Sequence, residues 1–157
     1  HAPKQEDTIM HDNILVPIDG SPHAFKALDL AADIAGIYQS TVHLLHVGHI
    51  EEVPEGLKDW ARTEHVMDAP SWILETGAAQ NLLSAARDRL AKRGVTKVEE
   101  IIEHGNVAKI IIDFAHSSHI DMIIMGTRGF SDLGGLVMGS AAHKVSHAAP
   151  CTVVTVR

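Results

Sequence analysis

The chain has 157 residues, of which 45% are hydrophobic and 21% are charged, as expected for one soluble globular domain. The formal net charge of −7 disfavours nucleic acid and an anionic membrane surface as the main partner. The sequence contains no run of 18 apolar residues, so it predicts no transmembrane helix. A single cysteine, Cys151, excludes an intrachain disulfide and favours a reducing compartment. We therefore expect a cytoplasmic protein that binds no nucleic acid and does not insert into a membrane.

Strand and helix patterns alternate along most of the chain. Residues 1–12 lack an apolar signal core, and we expect them to form a disordered extension or a remnant of the expression vector. Residues 13–157 are predicted to form a single domain. Apolar runs predict strands at 13–19, 41–47, 97–104, 120–125 and 151–156. Amphipathic spacing and capping residues predict helices at 22–38 and 76–93, after Asn106, and from an N-cap at Ser140 to about 149. Residues 48–73 fit no clear period and are predicted to form a long loop. This alternation predicts a parallel α/β sheet.

The segment 126–140 is the clearest functional motif. It joins a buried strand to a helix and has the spacing G-x2-G-x9-G-S, from Gly126, Gly129, Gly139 and Ser140. Glycines allow backbone N–H groups to approach an anion, and a helix N-terminus adds unpaired donors. The segment lacks the lysine of the P-loop and the G-x-G turn of the dinucleotide fingerprint. We interpret it as a phosphate-binding loop, with a flexible surface loop as the alternative.

The chain resembles the universal stress protein family, in its ATP-binding branch. The resemblance is carried by the glycine loop, Val-Pro-Ile-Asp-Gly-Ser at 16–21, Leu-Leu-His-Val at 44–47 and Asp-Met-Ile-Ile-Met-Gly at 121–126. It covers nearly all of 14–156 except 48–73. It implies an open five-stranded parallel sheet, Rossmann-like and of the adenine nucleotide alpha hydrolase-like type, with strand order 3-2-1-4-5. In that order the winding reverses between strands 1 and 4, where open α/β sheets bind ligands.

The resemblance implies ATP as the ligand, with Mg²⁺ or Mn²⁺ held by Asp19 or Ser140. Asp19 would otherwise contact the ribose, and an Asp turn at the helix entry is the alternative. Pro17 and Val42 match positions whose backbone meets the adenine, and Arg128 is either a phosphate contact or a solvated side chain. The full set of implied binding residues is Pro17, Ile18, Asp19, Val42, Met125, Gly126, Thr127, Arg128, Gly129, Gly139, Ser140 and Ala141.

The sequence contains no recognised catalytic motif. Among its 12 histidines, His143 and His147 are spaced i, i+4, but no carboxylate stands at a metalloprotease spacing. We therefore expect surface or capping histidines, with a transition-metal site as the alternative. No G-x-S-x-G elbow is present. We predict no catalytic residues and a nucleotide-responsive stress-response regulator with an unknown protein partner. The alternatives are a slow ATPase, a phosphoryl or nucleotidyl transferase on the same scaffold, and a structural relative that has lost nucleotide binding. Slow autophosphorylation on Ser140, Ser131 or Thr127 stays open.

The last strand has an unprotected edge. The implied order places 152–156 at one edge of the sheet, without lysine or proline to repel another strand. The opposite edge carries Glu99, Glu100 and Glu103. We therefore predict a homodimer in which two copies of Thr152–Val156 pair antiparallel about a two-fold axis. The alternative is an edge shielded by a loop of the same chain.

Overall fold

The computed structural model describes residues 11–48, 71–129 and 138–157, without the side chains of 71–75. The elements in chain order are β1 (Asn13–Pro17), α1 (Pro22–Tyr38), β2 (Thr41–Gly48), α2 (Ser71–Lys92), β3 (Val98–His104), α3 (Val107–Ser117), β4 (Met122–Gly126), α4 (Ser140–Ala148) and β5 (Thr152–Val156). The five strands are all parallel and form one sheet in the order β3-β2-β1-β4-β5. The predicted fold class and strand order are confirmed. Within the described ranges, no helix combines the length and apolar character needed to cross a membrane.

The sheet is covered by helices on both faces. Ile14 and Val16 of β1 pack in the core that contains buried residues of α1 and α2. Leu15, between them, packs in the second core, which contains buried residues of α3 and α4. All three side chains are fully buried, as the unbroken apolar run of β1 predicts for a strand enclosed on both faces.

The structure confirms two helix caps that the sequence predicts, at Ser21 and Asn106. The Ser21 hydroxyl accepts from the N–H of Ala24 at 3.2 Å, and Pro22 follows it as the first helical residue of α1. The Asn106 side chain accepts from the N–H of Lys109 at 3.0 Å at the start of α3. Both helices therefore begin just beyond the carboxyl ends of the strands that precede them, β1 and β3.

Several predicted boundaries are wrong. Helix α2 begins at Ser71 and not at Thr76. The apolar residues at 72–74 follow one another instead of recurring at helical spacing, so the pattern did not indicate this first turn. Of the extension expected at 1–12, residues 1–10 lie outside the described residues, and the carbonyls of His11 and Asp12 accept from Ser40 and Thr41. Most of the loop predicted at 48–73 lies outside the described residues.

The N-cap of α4 is Gly139, and the prediction that Ser140 holds this place is wrong. The N–H of His143 donates to the carbonyl of Gly139 at 3.0 Å, so the first helical bond closes on the glycine. The cap residue is a glycine and therefore makes no side-chain capping bond. Ser140 is the first residue of α4 and is not its cap.

Candidate functional site

A cleft of about 490 Å³ lies at the carboxyl ends of β1, β2 and β4. The winding of the sheet reverses between β1 and β4, which are neighbours but not consecutive strands, and open α/β sheets bind ligands at such a point. The sequence-predicted residues that line the cleft are Pro17, Ile18, Asp19, Met125, Gly126, Thr127, Arg128, Gly129, Ser140 and Ala141.

Two sequence-predicted residues do not line the cleft. Val42 is fully buried near the amino end of β2, where it pairs with Ile14 and Val98. Val42 therefore does not line this cleft, which lies at the opposite end of that strand. Gly139 is buried, and its N–H donates to the carbonyl of Thr127 at 2.6 Å. This N–H holds the loop together and is not available to an anion.

The backbone of β2 presents its hydrogen-bonding groups alternately to its two neighbours. The carbonyl of Leu45 accepts from the N–H of Ile18 at 2.8 Å, so odd-numbered residues of β2 face β1. The N–H of Val42 donates to the carbonyl of Lys97 at 2.9 Å, next to β3. By this alternation, the backbone of Val47 faces the side of β1.

Strand β1 has ended before it reaches Val47. Its last residue is Pro17, and the carbonyl of Ile18 beyond it lies 2.8 Å from Nδ1 of His46. Among the described residues, no partner is found for the N–H or the C=O of Val47. Both groups therefore remain available where Val47 lines the cleft. Sequence reasoning missed this pair, although the rule on the carboxyl ends of strands applies to β2 as well.

Asp19 forms the turn that leads into α1. Its Oδ1 accepts from the N–H of Ser21 at 2.8 Å, and Gly20 between them has a φ of 86°, which favours glycine. The Asp turn that the sequence left as an alternative is thus present. Asp19 is also exposed and lines the cleft. Its other carboxylate oxygen has no partner among the described residues, so the side chain can both hold the turn and meet a ligand.

Gly126 is required by the approach of α1. A Cβ at this position would lie 2.8 Å from Cβ and 2.9 Å from the carbonyl carbon of His23, closer than real side chains come. The first glycine of the motif therefore allows helix and sheet to pack, besides exposing backbone to the cleft. This reason was not visible in the spacing, because His23 belongs to a distant part of the chain.

The hydroxyl of Thr127 is turned away from the cleft. Thr127 is 4% exposed, and its hydroxyl donates to the carbonyl of Val156 at 3.2 Å. Nδ1 of His23 lies 3.1 Å from the hydroxyl oxygen of Thr127. Because the hydroxyl proton of Thr127 points to Val156, Nδ1 of His23 is the donor in its bond to the hydroxyl oxygen. Thr127 thus ties the loop to β5 and α1, and it offers its backbone to the cleft.

The first turn of α4 supplies unpaired donors. His143 is the first residue whose N–H bonds back to the cap, so the N–H groups of Ser140, Ala141 and Ala142 have no partner within the helix. All three residues line the cleft. Of the three, Ser140 and Ala141 belong to the sequence-predicted binding set, whereas Ala142 does not and takes the place of Gly139, whose N–H is bound to Thr127.

The charges around the cleft favour an anion. Arg128 and Lys144 line it on the side of the loop and α4, and Asp19 is the one acidic residue among its described lining residues. The positive end of the α4 dipole adds to the two cations. Lys144, which stands one turn after Ser140, is a lining residue that the sequence-based set did not include.

The histidines form no metal centre in the part of the chain that is described. There, no three His, Cys, Asp or Glu residues are placed to hold one ion. The rings of His143 and His147 contact each other at a tilt of 55°, with centroids 4.5 Å apart. Nε2 of His43 lies 3.0 Å from Oδ1 of Asn13. Burial lowers the pKa of this histidine. Ser131, a sequence-based candidate for phosphorylation, lies outside the described residues.

Known proteins resemble the chain over most of its length. Residues 10–157 match the sequence profile of the universal stress protein family. The universal stress protein YxiE of Bacillus subtilis is 33% identical, over 94% of this chain and 100% of its own length. Universal stress protein UspA from Lactobacillus plantarum superposes with a TM-score of 0.81 at 26% identity, over 94% of this chain and 98% of its own. A universal stress protein from Archaeoglobus fulgidus in complex with dAMP has a TM-score of 0.66 at 24% identity, over 94% of this chain and 99% of its own.

Proposed function

The chain belongs to the universal stress protein family, and we propose that it binds an adenine nucleotide, ATP with Mg²⁺ or Mn²⁺, as a nucleotide-responsive regulator. The observation that carries the proposal is the arrangement of one cleft. On one side of it lie backbone groups of Val47 that no described residue pairs, and on the other lie N–H groups of α4 that have no partner within the helix. The first set suits a base and the second suits phosphates. The Archaeoglobus relative in complex with dAMP supports a nucleotide of this class.

The backbone of Val47 suits the adenine ring. Adenine presents an acceptor, N1, next to a donor, the 6-amino group, whereas guanine presents a donor and an acceptor at these positions. One residue that offers both N–H and C=O complements adenine and opposes guanine. Ile18, Met125 and Ile111 line the same cleft and would bury the faces of the ring.

The phosphates would lie at the start of α4. A helix N-terminus contributes only about 0.3–1 kcal/mol per nearby charge, whereas micromolar affinity needs about −8 kcal/mol. Direct bonds from the N–H groups of 140–142, the charges of Arg128 and Lys144 and burial of the base must therefore act together. The unpaired oxygen of Asp19 and the hydroxyl of Ser140 fit the hard oxygen ligands that Mg²⁺ takes beside phosphates. The metal would offset the phosphate charge.

We assign regulation and not turnover to the bound nucleotide. The titratable side chains lining the cleft are Asp19, His46, Arg128 and Lys144, and Nδ1 of His46 is held by a backbone carbonyl. A partner would then read the state of the nucleotide. A slow ATPase is the competing function, and steady hydrolysis in the usual enzyme range of roughly 1–10³ per second would favour it.

We also propose that the protein is a homodimer joined through β5. Among the described elements, β5 pairs only with β4 and has its other side open. Residues 153–156 are half-buried in the single chain. Burying them against a second copy would cover a strand edge that otherwise invites unspecific pairing.

Substitution of Ser140 by proline tests the phosphate site. Proline is favoured at the first position of a helix, and Gly139 before it has φ −67° and ψ 159°, which a residue preceding proline adopts. Ser140→Pro therefore removes one donor without breaking α4, and Ser140→Ala is the matched control that keeps the N–H. We expect calorimetry to show micromolar ATP binding by the wild type. Ser140→Pro should weaken it about 10-fold or more beyond Ser140→Ala, as for a bond to a charged group.

Adenosine separates the two halves of the site. It carries no phosphate, so Ser140→Pro should leave its affinity unchanged. Absence of ATP binding by the wild type at millimolar concentration would refute the proposed function. Equal ATP affinity in the proline and alanine variants would refute the role of the helix N-terminus.

A further inference from the structure

The ladder between β1 and β2 stops one bond early. Its last bond runs from the N–H of Ile18 to the carbonyl of Leu45, at 2.8 Å. A parallel ladder would continue with the N–H of Val47 donating to the carbonyl of Ile18. That carbonyl instead meets Nδ1 of His46, at 2.8 Å. A carbonyl only accepts, so Nδ1 carries the proton and the imidazole takes the place of the strand amide.

We propose that His46 is the positioning residue that keeps the backbone of Val47 open for the base, an inference that rests on the proposed adenine-nucleotide site. Ile18 is 2% exposed, and a buried carbonyl demands a donor. The His46 ring supplies one from the side. The N–H of Val47 is thereby released to the cleft.

Removal of the imidazole donor would close the ladder. The carbonyl of Ile18 would lose its partner, and the N–H of Val47 is the donor that a continued strand pairing brings to it. The added bond would take that N–H from the ligand and leave the phosphate donors at 140–142 unchanged. The loss would therefore fall on recognition of the base, and discrimination between ATP and GTP would decline more than affinity for the triphosphate.

Three variants separate the donor from the shape of the side chain. His46→Asn places an amide N–H where Nδ1 stands and should rescue the function. His46→Leu has no donor, and His46→Phe is a second donor-free variant that keeps a ring if leucine does not fold. His104→Leu, an exposed histidine at the end of β3, is the control for the loss of a histidine elsewhere on the sheet.

Two readouts are needed. Calorimetry with ATP and GTP should show that the donor-free variants lose about 10-fold of the preference for ATP, the value of one hydrogen bond, while His46→Asn and His104→Leu keep it. Amide hydrogen exchange of the nucleotide-free protein should show Val47 exchanging fast in the wild type and in His46→Asn. In the donor-free variants Val47 should become protected.

Wild-type preference for ATP in His46→Leu and His46→Phe would overturn the proposal, as would equal impairment of His46→Asn. Unchanged exchange of Val47 in the donor-free variants would also overturn it. If the wild type binds no ATP, the proposed function fails, yet the exchange of Val47 still decides whether His46 holds the ladder open.

Discussion

Replacement of Gly126 by alanine should destabilise the protein and not merely the loop. The new Cβ would stand 2.8 Å from Cβ of His23, 2.9 Å from its carbonyl carbon and 3.1 Å from the nitrogen of Ala24. Two of these three atoms are backbone, so a change of rotamer cannot relieve the contact. Either α1 or β4 must move by several tenths of an ångström, although both belong to the closely packed core.

The magnitude follows from two opposing effects. Overpacking in a core costs about 1–3 kcal/mol, and the rigid backbone neighbours favour the upper half of that range. The φ of Gly126 lies outside the left-handed region, so alanine also restricts the unfolded chain and returns about 0.4–1 kcal/mol. The net loss in free energy of unfolding should be about 1–2.6 kcal/mol, which lowers the melting temperature by about 2–10 °C in a chain of this length.

Urea denaturation and thermal melting measure this effect, and Gly36→Ala is the matched control. Gly36 lies within α1, and a Cβ there meets nothing within 4 Å. Alanine should therefore stabilise the helix by about 0.5–1 kcal/mol. If Gly126→Ala melts at or above the wild-type temperature, the close approach of α1 does not explain this glycine.

Two further outcomes are expected. Burial lowers the pKa of His43 below its usual 6.5, with Glu99 opposing the shift. At low pH the unfolded state therefore binds more protons than the folded state. The stability is full above about pH 6.5 and is lost as the pH falls through the lowered pKa. His43→Gln should flatten this acid loss in denaturation curves, whereas the same change at exposed His116 should leave it, and equal slopes would contradict the assignment. Sedimentation equilibrium at tens of micromolar should give twice the chain mass of 16.9 kDa, and a species at the single-chain mass would refute the β5 dimer.

The strand order could be predicted because the local motifs that mark β1, β2 and β4 carry the resemblance to a family with that order. Val-Pro-Ile-Asp-Gly-Ser at 16–21 identifies both the end of a buried strand and the cap of the next helix: β1 ends at Pro17, and Ser21 caps α1. The residues that line the cleft from β1 and from the start of the loop were found for the same reason. Each lies within a few residues of a recognisable strand end.

The proposed site for the base could not be predicted in the same way. Whether Val42 or Val47 offers its backbone depends on where β1 stops and on which carbonyl His46 reaches, and both are tertiary facts. The spacing of the glycines likewise did not show that the N–H of Gly139 is taken by Thr127. A motif names the residues near a ligand, but the pairing of each donor decides which of them can bind.

An NMR titration with ATP and Mg²⁺ tests the binding of an adenine nucleotide in this cleft most directly. The amide signals of Val47 and of residues 140–142 should shift together and saturate at one affinity. Those of 97–99, at the amino end of the sheet, should stay in place. Shifts confined to residues outside the cleft, or no shift of Val47 at saturating ATP, would contradict the site described.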